Sequence, residues 1–284
     1  MKSLEANTNP TDYEWPKNCR LLLVEDNSIN QTVVQGMLAE YQLKCETANN
    51  GQEAIELLQL SAKEYPYTLA LMDCQMPILD GYETTRRIRK GSAGQRYRHI
   101  PIVAMTANAM SGDREKCLDA GMNDYLPKPI TIAHLYDKLC IWLKSAAPKK
   151  ETNHPQLESS NEPVLWDQTE ALKRVRNKSD RLDTLIDMFR ESAPQLINDI
   201  RVALTDENRV AAIHHSHTLK GVAGNLSAHS LMDAAEALEL RLRTNETDDL
   251  MPLVENIIQQ HNMTLERFDR FQGRESSPRQ SAGK

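Results

Sequence analysis

Reactive side chains recur where short apolar runs end. Glu25 and Asp26 follow Arg20–Val24, Asp73 follows Leu69–Met72, Thr106 follows Ile102–Met105, and Lys128 follows Tyr125-Leu126. Three carboxylates brought close together repel one another and call for a hard divalent cation, and an all-oxygen set suits Mg²⁺. Such a cation keeps several waters and takes phosphate oxygens as further ligands. Lys128 offers a positive charge and Thr106 a hydroxyl for the remaining oxygens of a phosphoryl group. Asp73, inside LALMDCQMPILDG, is then the nucleophile that forms an aspartyl phosphate. Singly, each residue reads as a helix cap, a strand-end hydroxyl or a surface amine. Their recurrence at successive run ends, in order, points to a site.

A second candidate lies in HHSHTLKGVAGNLSA. At 100° per residue, Ala212, Val222, Ala223 and Leu226 cluster on the side of Leu219 as a core stripe. His217 falls about 160° away, on the expected solvent side with Lys220, Gly221 and Gly224. Two glycines inside a helix each cost up to about 1 kcal/mol, which suggests that something approaches the backbone there. A neutral imidazole nitrogen can accept a phosphoryl group, and Lys220 one turn on can steady its charge. His215, near the core stripe, reads as a partly buried histidine, and His214 as a flank of the exposed face. Zinc at His214 and His217 lacks evident further ligands.

Alternating elements must position the first site. Strands are expected at Arg20–Val24, Lys44–Ala48, Leu69–Met72, Ile102–Met105 and Tyr125-Leu126. Helices are expected at Ser28–Tyr41, Gln52–Ala62, Gly81–Lys90, Asp113–Ala120 and Ile132–Lys144. Five such units imply an α/β doubly wound parallel sheet covered on both faces, with ligands outside the carboxyl ends of its strands. Residues 145–163 turn rich in Pro, Ser, Lys and Glu and read as a flexible linker, about 25 Å in r.m.s. span. Beyond Val164 every element reads as a helix: Asp167–Val175, Arg181–Leu204 with a kink at Pro194, Glu207–Leu226, Ser230–Thr244 and Thr247–Phe271. That is an all-α helical bundle. Residues 1–18 read as a leader or linker, and 272–284 as a disordered tail.

Composition narrows the class. A net charge of −6 argues against a general nucleic-acid binder, and no run of some 18 apolar residues offers a membrane span. The five scattered cysteines lack CxxC spacing and read as reduced thiols of a cytoplasmic protein. The basic run Arg86–Arg98 reads as a solvated helix end and loop. There is no Gly-rich phosphate loop in the right context, so the chain is expected to carry phosphate rather than take it from ATP.

LLLVEDN, LMDCQMPILDGYE, PIVAMTANA and AGMNDYLPKP resemble the receiver domain of two-component response regulators, over residues 19–145. The resemblance implies a five-stranded sheet of order 2-1-3-4-5, the known strand order of this fold. It also implies Asp73 as phosphoacceptor beside the acidic pair Glu25 and Asp26. Mg²⁺ would be held by Asp26, Asp73 and the Gln75 backbone carbonyl. Thr106 and Tyr125 would form a switch pair, and the Lys128-Pro129 bond would be cis. The segment His217-Thr-Leu-Lys220-Gly221 resembles the histidine phosphotransfer (HPt) domain over residues 164–271, with Ser227 where that family usually has Gly. Together these imply a phosphorelay intermediate that takes a phosphoryl group from a sensor histidine kinase on Asp73 and passes it through His217 to a downstream receiver. Transfer within one chain is expected, at a millimolar effective concentration. The alternative is a phosphorylation-gated binding module in which the bundle is a scaffold. Whether the chain stands alone or belongs to a larger hybrid kinase stays open, with a slight lean to the latter.

Overall fold

The computed structural model describes residues 15–61, 65–106, 111–143, 165–244 and 249–274, with backbone alone for 111–113. These residues form two compact units, one on either side of residue 160. The expected linker at 145–163 lies outside the described residues, as do 1–14 and 275–284.

In the first unit, strands β1 (Leu21–Val24), β2 (Cys45–Ala48), β3 (Leu69–Asp73), β4 (Ile102–Thr106) and β5 (Asp124–Pro127) form one sheet. Its order is β2-β1-β3-β4-β5 and every pairing is parallel. Helices α1 (Ser28–Glu40), α2 (Gly51–Leu60), α3 (Gly81–Lys90), α4 (Ser111–Asp119) and α5 (Ile132–Leu143) follow the strands in turn. Every residue of β1, β3 and β4 is buried, while the edge strands β2 and β5 are not. Central parallel strands are covered on both faces, and this is why they read as unbroken apolar runs. Side chains start the helices: Asn27 accepts from the backbone N–H groups of Ile29 and Asn30, Asn50 from Glu53, and Asp80 from Glu83. Gly91 closes α3 in the left-handed region.

Because all five strands run the same way, their carboxyl ends share one edge. In register, Val24 pairs with Met72 and Asp73 with Met105, so Glu25, Asp73 and Thr106 leave the sheet side by side. The return from that edge is tight. A Cβ on Gly81 would lie 2.1 Å from the carbonyl oxygen of Asp73, and the Gly81 N–H donates to the Cys74 carbonyl at 3.1 Å. Gly81→Ala must therefore push the Asp73 backbone, and we expect it to destabilise this unit by about 2 kcal/mol. Urea unfolding of the full chain, with an unchanged midpoint, would contradict this.

Several sequence expectations change here. Trp15 is not a loose leader: its indole N–H donates to the Tyr41 carbonyl at 2.9 Å, and its ring meets Tyr41 and Tyr136 edge-on. Within the basic run, Arg89 is structural, donating to the carbonyls of Gly121 and Arg98 and to the Asn123 side chain. The run also holds a 3-10 turn at Gln95–Tyr97.

The second unit contains α6 (Gln168–Arg174), α7 (Ser179–Thr205), α8 (Arg209–Asn225), α9 (His229–Arg243) and α10 (Met251–Phe271). Helix α7 continues on both sides of Pro194, the position at which a kink is expected. Its core holds Phe189, Phe268, Ile200, Leu219, Leu238 and Ile257, each fully buried. Residues 272–274 depart from the expected disordered tail: Gln272 and Arg274 reach back to Asp187 on α7.

Ser227, the departure from the usual Gly, has φ +55, the left-handed conformation that explains why Gly is common there. The serine makes use of its hydroxyl, which accepts from Nε of Arg174 at 3.1 Å, while its carbonyl accepts from the Asp167 N–H at 3.0 Å. The segment before α7 is thereby held to the α8–α9 turn. His261 is buried on α10 with Nε2 lacking a partner and its ring tilted against Phe189. Burial lowers its pKa from the ordinary 6.5. A folded-state pKa below the unfolded one means stability is complete above pH 6.5 and falls as the pH drops toward the folded value. His261→Leu should stabilise the unit by about 1 kcal/mol at neutral pH. It should also flatten that acid slope, which thermal unfolding at pH 7.5 and pH 5.5 measures.

Candidate functional site

The carboxyl edge of the sheet gathers the predicted residues. Glu25, Asp26 and Asp73 each bring an oxygen within 4.8 Å of the others. Glu25 and Asp73 are 1% exposed, and Thr106 beside them is 4% exposed. Nζ of Lys128 reaches Oε2 of Glu25 at 2.7 Å and Oδ2 of Asp73 at 2.9 Å. Burial alone would lower the Lys128 pKa, but the charges of Asp73 and Glu25 outweigh it and raise it. The ammonium is therefore fixed as charged. Its backbone N–H donates to the Thr106 carbonyl at 2.6 Å, and the Lys128-Pro129 bond is cis as expected. Oε1 of Glu25 accepts from Nδ2 of Asn30 at 2.8 Å, a support that the sequence reading missed. The Gln75 N–H points to Oδ1 of Asp73 at 3.4 Å. Tyr125 packs partly buried against the core on β5, with the Lys138 ammonium 5.4 Å above its ring.

Three carboxylates against one ammonium leave two negative charges in a mostly buried cluster. That donor set fits one divalent cation with oxygen preference, and Mg²⁺ meets the requirement.

The second site differs from its expected form. His217 does not face solvent: 5% of its side chain is exposed. Lys220 and Gly224 are buried as well, and Gly221 is partly exposed. The expected core stripe of Ala212, Leu219, Val222, Ala223 and Leu226 is fully buried. The wheel fails beyond that stripe because α8 packs against both α7 and α9, so its covered surface is wider than one face.

Nδ1 of His217 lies 3.1 Å from Oε1 of Glu239 on α9. A carboxylate only accepts, so Nδ1 is the nitrogen that donates here, and in the neutral ring Nε2 is then the one with a lone pair. Burial would raise the Glu239 pKa, but the hydrogen bonds from His217 and Arg243 and the nearby charge of Lys220 hold it down at about 2. Arg243 donates to the same Oε1 at 2.7 Å. Nζ of Lys220 binds Glu236 at 2.6 Å and lies 3.6 Å from Oε2 of Glu239. Glu239 escaped the sequence reading, though a signal existed. Ala235, Leu238 and Leu242 form an apolar stripe on α9, and Glu239 sits within it. A carboxylate at a core position needs a partner.

Residues 21–140 match the response regulator receiver domain family, and residues 184–270 match the Hpt domain family. Sensor protein GacS of Pseudomonas syringae pv. syringae is 31% identical over 230 residues, covering 80% of this chain and 25% of its own length. The signal transduction histidine-protein kinase BarA of Escherichia coli is 28% identical over 250 residues, covering 87% of this chain and 26% of its own. The chain thus spans about a quarter of these curated relatives. Among solved structures, the receiver domain of sensor histidine kinase PA1611 from Pseudomonas aeruginosa, with magnesium in its active-site cleft, is 44% identical. It covers 44% of this chain and 98% of that one, at a TM-score of 0.40. With its parallel sheet, its acidic edge and its buried helix-borne histidine, this chain is a two-component receiver domain followed by a histidine phosphotransfer domain, the pairing found in hybrid sensor histidine kinases.

Proposed function

We propose that the chain relays a phosphoryl group, taking it on Asp73 from a phosphohistidine of a sensor kinase and passing it through His217 to another receiver. The observation that carries this is the pair of prepared nucleophiles. Asp73 presents a carboxylate beside a fixed ammonium, and His217 has one nitrogen committed to Glu239 and the other free to attack.

On the receiver, a carboxylate oxygen of Asp73 attacks phosphorus while the P–N bond to the donor imidazole breaks. Lys128 meets the charge on the transferring oxygens and the Thr106 hydroxyl lies at the same edge. Bound Mg²⁺, held by Asp26, Asp73 and the Gln75 carbonyl with Glu25 beside them, would supply Lewis-acid neutralisation of those oxygens. Tyr125 on β5 would follow Thr106 as the second half of a switch. In the second step Nε2 of His217 attacks phosphorus and the P–O bond to Asp73 breaks, which returns the carboxylate. Glu239 stabilises the positive charge that develops on the ring, and Lys220 stands one turn away. His217 is recessed, so transfer requires the incoming phosphoryl group to reach Nε2 while the Nδ1–Glu239 bond is kept. Gly221, one turn on and partly exposed, adds no side chain beside it.

The partners under this reading are a kinase domain before Asp73 and a receiver after His217, with no nucleic acid. Among the described residues no helix is long and apolar enough to cross a membrane. Reduced thiols suit the cytoplasm, whether the module works alone or within a larger kinase.

The test is to offer a radiolabelled, phosphorylated kinase domain and Mg²⁺ to the full chain and follow the bond type. Label should appear first as an alkali-labile acyl phosphate and then as an alkali-stable, acid-labile phosphoimidazole. A label that never becomes alkali-stable would overturn the relay. Within it, Glu239→Gln should slow labelling of His217 about tenfold, because a charge-assisted hydrogen bond is replaced by a neutral one worth some 1.4 kcal/mol less. An unchanged rate would remove Glu239 from the mechanism.

A further inference from the structure

Two thiols stand outside the chemistry above. Cys74 directly follows Asp73 at the end of β3, and Cys117 lies on α4. Their Sγ atoms are 3.9 Å apart, and each residue is 2% exposed. Both belong to one apolar cluster with Met76, Ile88 and Met122. Cys19, Cys45 and Cys140 sit at partly exposed positions, and Cys19 has the Thr68 hydroxyl rather than a thiol beside it. At 3.9 Å the two sulfurs share a thiol hydrogen bond and no covalent bond, and less than about 2 Å of approach would bring them to the 2.05 Å of a disulfide.

We propose that Cys74 and Cys117 are a thiol modification site, closing reversibly to a disulfide that ties the residue after Asp73 to α4. The oxidant is hydrogen peroxide. One thiol sulfur attacks a peroxide oxygen, the O–O bond breaks, the hydroxide leaves as water with the thiol proton, and a sulfenic acid remains. The second sulfur attacks that sulfur, the S–O bond breaks, and the hydroxyl departs as water with the second thiol's proton. The two sulfurs give up two electrons, and one peroxide becomes two waters. A dithiol reverses the bond by exchange. Burial selects for small oxidants and shields the pair from bulky thiol reagents, while the partly exposed cysteines stay open to alkylation.

The consequence follows from position. In the reduced chain α4 and the carboxyl end of β3 meet at this point through non-covalent side-chain packing. The disulfide replaces that packing with a covalent tie one residue from Asp73. Any rearrangement of α4 that accompanies phosphoryl uptake is then resisted. This second half rests on the reading of Asp73 as acceptor, whereas formation of the bond does not.

The experiment treats the folded full chain with hydrogen peroxide, blocks remaining thiols with N-ethylmaleimide under denaturing conditions, and maps peptides by mass spectrometry. The expected result is a cross-linked pair carrying residues 74 and 117, two hydrogens lighter than the sum, lost on adding dithiothreitol. Alkylated Cys74 and Cys117 after oxidation, or either one bridged to a different cysteine, overturns the proposal. Cys117→Ser should abolish the cross-link and leave Cys74 alkylated. The wild-type map stands without that variant should it fold poorly. Labelling of Asp73 by acetyl phosphate with Mg²⁺ should then slow roughly fivefold or more in the oxidised chain and recover with dithiothreitol. Equal rates would overturn the regulatory half. Failure to label the reduced chain would instead count against Asp73 as acceptor and leave the cross-link result in place.

Discussion

Replacing His217 by Gln will leave Asp73 able to take up a phosphoryl group and will abolish delivery to a second receiver. Gln has similar reach and its amide can still meet Glu239, so the packing of α8 against α9 is disturbed little. It has no nitrogen lone pair able to attack phosphorus, so the expected loss is complete rather than graded. Asp73→Asn gives the complementary result, with no label from the kinase at either site. A mixture of the two variants tests the geometry of transfer: labelled H217Q chain offered to D73N chain reports exchange between molecules. Comparison with wild type then gives the share that occurs within one chain. The same substitution separates the two function classes considered. If the bundle is a scaffold for a phosphorylation-gated binder, His217→Gln leaves output intact. If the chain is a relay, output stops. Persistent delivery through the H217Q chain would reject the relay.

The second large effect is expected at Lys128. Lys128→Met keeps the length of the side chain but leaves Glu25 and Asp73, 1% and 2% exposed at their side chains, without their shared ammonium. Removing one partner from a buried ion cluster exposes the rest to the full desolvation cost, and about 3 kcal/mol of stability should be lost. Millimolar Mg²⁺ should return part of that loss, because a divalent cation bound only by the folded acidic edge shifts the unfolding equilibrium. The wild-type chain, whose Lys128 already offsets one charge, should gain less from Mg²⁺. Acetyl phosphate labelling of K128M should fall by at least about 100-fold, the loss expected when one preorganised charge is taken from a transition state. Two measurements decide this: urea midpoints with and without Mg²⁺, and labelling rates at saturating Mg²⁺. A K128M chain as stable as wild type would show that the cluster needs no internal cation.

The receiver half was legible in the sequence because its chemistry sits at the ends of local signals. Each central strand is a short apolar run buried on both faces, and a parallel sheet sends every run's end to the same edge. Position in the chain therefore fixed position in space for Glu25, Asp26, Asp73, Thr106 and Lys128. Element boundaries held to within two residues in this half because Asn27, Asn50 and Asp80 cap their helices with side chains visible in the sequence.

The helical half was legible only in outline. Its helices and the acceptor motif could be read, but a wheel built on one stripe cannot show how many neighbours a helix has. With α7 and α9 both packed on α8, His217 lies recessed instead of facing water. The hydrogen bond that selects its reactive nitrogen is accepted by Glu239, 22 residues on and in another helix. Likewise, no spacing in the chain says that Cys74 and Cys117, 43 residues apart, share one apolar cluster. What the sequence determined by itself was which residues can react and which strand ends carry them, since those follow from local periodicity and chain direction. Which side chains are recessed, paired and held in one protonation state was decided by tertiary packing, because burial and charge pairing depend on neighbours that only the folded chain brings together.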